Sequence, residues 1–76
     1  MLTAQKIADR IYASKRLCNL ALDIQETHVS FNTSPRVSWV LIPHKSMVDV
    51  IRAEGGEIET GLHVLSDLPK IIASNM

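Results

Sequence analysis

THVSFNTSPRVSWVLIP, residues Thr27 to Pro43, is the stretch whose reading decides the fold. Two alternating runs flank a turn-forming Asn-Thr-Ser-Pro. In the first run Thr27, Val29 and Phe31 share one face and His28, Ser30 and Asn32 the other. That is the period-two pattern of a half-buried strand. In the second run Val37, Trp39 and Leu41 share a face, while Val40 and Ile42 make the later half apolar on the opposite face too. A strand apolar on both faces belongs in the middle of a sheet. The stretch also holds the only Phe and the only Trp of the chain. Aromatic side chains dominate the packing of small cores, so the expected unit is a β-hairpin carrying the core of a small α/β domain.

On the N-terminal side, Thr3 is a natural N-cap. Ala4, Ile7, Ala8 and Ile11, then Cys18 and Leu22, fall on one face at about 100° per residue. Beyond Tyr12 a second apolar set, Ala13, Leu17, Leu20 and Ile24, lies on the opposite side of the same helix. A helix with two apolar faces has to bury both. Three arrangements satisfy this: the hairpin and C-terminal segment cover both faces, the second face packs on another copy of the chain, or the helix breaks near Tyr12–Ser14.

On the C-terminal side, Ser46 and Asp49 have the spacing of a capping signal, which predicts a second helix to about Glu54, stopped by Gly55-Gly56. Glu57 to Leu65 alternates again, with Ile58, Thr60, Leu62 and Val64 expected inward and Glu57, Glu59 and His63 outward. Leu68-Pro69 opens a short terminal helix through Ala73. The expected fold is α+β, one domain over residues 1–76. Its order is α-β-β-α-β-α, with a three-stranded, mainly antiparallel sheet and helices packed on one face.

Composition narrows the function classes. Seventy-six residues give one small domain, marginal in stability when alone. A single cysteine excludes an intrachain disulfide framework and suits a reducing cytosol. No signal pattern opens the chain, and its longest run of large apolar residues, Trp39 to Ile42, is far short of a membrane span, so a cytoplasmic protein is expected, with no membrane partner. The net charge is zero but uneven: Lys6, Arg10, Lys15 and Arg16 against Asp9 make residues 1–22 net +3, and the remainder is net −3. A domain-wide basic field for nucleic acid is absent.

No motif carries chemistry. Cys18, His28, His44 and His63 lack the paired local spacing of zinc ligands, so no metal site is expected. Cys18 shares the stripe of Ile11 and Leu22 and reads as a buried small hydrophobe. Glu57 and Glu59 lie about 7 Å apart along one strand, which suits an acidic edge better than a catalytic carboxylate pair. Gly55-Gly56 follows a helical pattern and precedes a strand pattern, the reverse of a phosphate loop. The chain is expected not to be an enzyme and to use no cofactor.

Small size, a surplus apolar face at Ala13, Leu17, Leu20 and Ile24, and the missing catalytic constellation point to a protein-interaction and regulatory protein. Its expected partner is a second copy, forming a homo-oligomer (a dimer), or a host protein. In style the chain resembles the compact accessory proteins encoded by phages and mobile elements, inhibitors of host factors among them. The alternative is DNA binding. Gln5 to Ala21, QKIADRIYASKRLCNLA, resembles a helix-turn-helix segment, with Ile7-Ala8, Cys18 and Ala21 near its buried positions and Tyr12 where its turn usually has Gly. That resemblance implies Lys15, Arg16 and Asn19 facing DNA from a recognition helix capped by Ser14.

Overall fold

The computed structural model describes residues 1–76 and contains the hairpin. A strand at Val29–Ser34 pairs antiparallel with one at Val37–His44 across a turn at Pro35-Arg36. One extra residue interrupts the register between Asn32 and Ser34. This bulge sets Thr33, rather than the exposed Asn32, where its hydroxyl accepts the Trp39 indole N–H at 2.9 Å. Phe31 and Trp39 sit opposite each other, stacked with ring centroids 5.9 Å apart.

The rest of the sheet departs from expectation. In chain order the elements are α1 (Ala4–Tyr12), β1 (Asp23–Ile24), β2 (Val29–Ser34), β3 (Val37–His44), β4 (Met47–Glu54), β5 (Glu57–Val64), a 3₁₀ turn at Leu65–Asp67, and α2 (Leu68–Ser74). The sheet has five strands in the order β1-β2-β3-β4-β5, all neighbours antiparallel, so the expected three-stranded sheet is corrected to a five-stranded meander. β3 lies in the middle, as its two apolar faces required.

The predicted helix over residues 46–54 is strand β4. Val48, Val50 and Ile51 are β-branched, and Val48 and Val50 alternate into the core, which suits a pleated surface better than a helix. The Ser46–Asp49 spacing caps nothing. Lys45-Ser46 is a two-residue turn closing the pair His44–Met47. Lys45 has φ 60°, and positive φ at the first central residue alone is the mark of a type II′ turn. Gly55-Gly56 ends no helix either. With φ 57° and 89° it forms a type I′ turn closing the pair Glu54–Glu57.

α1 and α2 lie on one side of the sheet. Thr3 caps α1 by accepting the Lys6 backbone N–H, and Ala4, Ile7, Ala8 and Ile11 are the buried stripe. They pack with Val29, Phe31, Val37, Trp39, Leu41, Val48 and Val50 of the sheet and Leu68 and Ile72 of α2. The Arg10 guanidinium donates to the Ser66 carbonyl at 3.3 Å, joining α1 to the entry of α2.

α1 stops at Tyr12 although neither Gly nor Pro follows. On a continued helix, Cys18 would enter the core stripe and Leu17 would miss it. Instead the chain runs through three successive turns, in which the N–H groups of Ser14, Leu17 and Leu20 donate to the carbonyls of Ile11, Ser14 and Leu17. Leu17 is thereby fully buried and Cys18 left exposed. Burying the larger side chain is worth more. The reading of Cys18 as a buried hydrophobe is corrected.

Candidate interaction surface

The strand register assigns each side chain of the sheet to one of two faces, because opposed residues in an antiparallel ladder share a face. The rows Val29–Leu41–Val50–Gly61 and Phe31–Trp39–Arg52–Glu59 face the helices. The rows Val40–Ile51–Thr60, Ile42–Asp49–Leu62, His44–Met47–Val64 and Ser38–Ala53–Ile58 face the other way. No helix covers them.

This outer face is mostly apolar. Ile58, Leu62 and Val64 are 69%, 50% and 44% exposed, while Val40, Ile42, Met47 and Ile51 are half-buried only by their neighbours on the same face. Three strands of eight residues span about 27 Å by about 14 Å, so with side-chain relief the patch offers on the order of 500 Å². That is near the upper end of what a monomer ordinarily shows to water. Asp49 is the one carboxylate within the β3–β5 part of the patch, and it has no salt bridge.

The expected orientation of β5 is inverted. Ile58, Thr60, Leu62 and Val64 point outward, and Glu57, Glu59 and His63 lie on the helix side. The type I′ turn fixes this, since closing on Glu54–Glu57 leaves no freedom to shift by one residue. The two glutamates stay exposed on the helix side.

The sequence-predicted residues are dispersed. Leu17 is inside the core, Leu20 and Ile24 are half-buried against it, and Ala13 is exposed. These four form no common outward face, because the helix that would have aligned them ends at Tyr12. Lys15, Arg16 and Asn19 are exposed but sit on the turns after α1, and the second helix that the helix-turn-helix likeness requires is not formed. No three His, Cys, Asp or Glu side chains gather as a metal site would need. No helix is long and apolar enough to cross a membrane.

The Ser46–Asp49 capping signal hides the outer face in the sequence, because it predicts a helix rather than a strand over residues 46–54. The signal that finds it is Gly-Gly between two alternating runs, which marks a hairpin. Comparison with known families, curated proteins and solved structures finds no match to this chain.

Proposed function

We propose that the chain is a non-enzymatic protein-interaction protein that works in the cytosol as a dimer, closed on the outer face of its sheet. The observation that carries this reading is the apolar face of β3, β4 and β5, which no part of the chain covers. Two copies packed sheet on sheet, about 10 Å apart and inclined by about 30°, would interdigitate these rows. They would remove on the order of 1,000 Å² from water in total, at the lower threshold for a biological interface. The patch is nearly free of charge, so a copy meets little repulsion. Its lone carboxylate, Asp49, is one row from His44 and close to Lys45 at the end of the same face, and a second copy supplies those partners. An exposed Cys18 thiol also suits a reducing compartment.

Sedimentation over about 1 to 200 µM is the test, since dimer population follows concentration. The wild-type chain is expected to reach twice the chain mass. Leu62→Lys, which sets a charge in the patch without touching the core, is expected to stay folded and monomeric. A wild-type chain that remains monomeric at the top of the range sinks the proposal, as does a Leu62→Lys chain that dimerises equally well.

A further inference from the structure

β5 is the last strand of the sheet, so one of its edges is unpaired. The closing pair of a two-residue hairpin exchanges both backbone hydrogen bonds, and bonded positions then alternate along the strand. Starting from Glu54–Glu57, the residues Glu57, Glu59, Gly61 and His63 bond to β4. The N–H and C=O groups of Ile58, Thr60, Leu62 and Val64 are left pointing at the free edge. That is a template for an added strand.

A second observation says what kind of strand fits. A hollow of about 210 Å³ opens on the helix side of β5, walled by Trp39, Arg52, Glu59, His63, Ile71 and Asn75. Gly61 makes its floor, and a Cβ there would meet His63 Nε2 at 3.3 Å. Thr60 also borders the hollow although its side chain is on the outer face. The helix-side rows at this end of β4 and β5 carry Glu54, Glu57 and Glu59 against Arg52, and Glu59 is the carboxylate that lines the hollow. Arg52 lies over Trp39 at 5.8 Å and is already held by Glu54 at 2.7 Å, with Glu59 looser at 3.8 Å.

We propose that the free edge of β5 takes up an extended basic segment of a partner protein as a sixth strand, with one lysine of that segment lying in the hollow. Its stem rests on Ile71, and its ammonium reaches the Glu59 carboxylate. A second copy of β5 is the poorer occupant, because it adds another Glu57 and Glu59 to the same face of the joined sheet. The basic strand neutralises that row instead.

The experiment titrates the full chain with a blocked heptapeptide alternating lysine with valine and threonine, and with the same peptide carrying glutamate for lysine. Fluorescence of Trp39, the only tryptophan, and backbone amide shifts report binding. The lysine peptide is expected to give a saturable response with shifts concentrated in residues 57–64, weakening several-fold between about 50 and 500 mM salt. Glu59→Gln is expected to weaken it about fivefold, the worth of one exposed ion pair. Thr60→Pro, which removes an edge-facing N–H, is expected to abolish it. An equal response to the glutamate peptide overturns the proposal, as does wild-type affinity in Glu59→Gln. So does an undiminished response in folded Thr60→Pro, or no response at about 1 mM peptide. Glu59 and the hollow lie off the outer face, so the outcome holds whatever the oligomeric state.

Discussion

The two faces of this sheet are made by the same strands and treated in opposite ways. On the helix side, Leu41 and Trp39 of β3 and Val48 and Val50 of β4 are buried under α1 and α2. On the other side Val40, Ile42, Met47 and Ile51 of the same two strands meet one another and the side chains of the neighbouring strands β2 and β5, with no helix over them. A seventy-six-residue chain has two short helices, and both are spent on one face. Apolar content sufficient for two covered faces, with helices for one, is the arithmetic that leaves the outer face apolar and uncovered.

The widest test of that contrast is to truncate one leucine on each face. Leu41→Ala opens a cavity in a fully buried site and is expected to cost about 2–5 kcal/mol. Leu62→Ala removes a half-exposed side chain and is expected to cost the monomer no more than about 0.5 kcal/mol. Urea unfolding at low protein concentration, where any dimer is dissociated, gives both values. Similar losses at the two positions would break the distinction between the faces.

A narrower test concerns the polar contact that Trp39 makes on the inner face. Trp39 is almost fully buried, and its indole N–H is satisfied only because the β2 bulge brings the Thr33 hydroxyl to it. Thr33→Val keeps the shape and the β-branching but removes the acceptor. The expected loss is about 1 kcal/mol, read as a lower urea midpoint with unchanged slope. An unchanged midpoint would mean that water replaces the hydroxyl at no cost and that the bulge has another purpose.

What the sequence made legible followed from strong local patterns. Phe31 and Trp39 in facing strands, the α1 stripe from Ala4 to Ile11 and the Leu68-Pro69 helix start each satisfy one rule without competition. The losses came where two rules competed. Ser46-x-x-Asp49 satisfies a helix cap, while Val48, Val50 and Ile51 satisfy a strand; pairing along both edges of β4 decided for the strand. Cys18 and Leu17 satisfy different faces of a helix, and tertiary burial chose Leu17 by ending the helix. The expected partner face at Ala13, Leu17, Leu20 and Ile24 depended on that helix continuing. The exposed face on Ile58, Leu62 and Val64 depends on the register of the Gly55-Gly56 turn, a dipeptide that equally satisfies a helix stop.

The smallest effect isolates register from both faces. Lys45 holds φ 60° at the first central position of its turn, a conformation that glycine adopts freely and a lysine only under strain. Lys45→Gly relieves that strain but gives the unfolded chain more freedom, and the two terms oppose each other. Relief of roughly 1–2 kcal/mol for a non-glycine residue at positive φ exceeds the backbone entropy term of roughly 0.5–1 kcal/mol, so the net expectation is a gain of about 0.5 kcal/mol. Neither Leu41 nor Leu62 changes surroundings in this variant, so at low protein concentration the core should hold while the urea midpoint rises. A fall in the midpoint would mean that Lys45 contributes to the outer face beyond its place in the turn. The sheet would then owe its register to the Gly55-Gly56 hairpin alone.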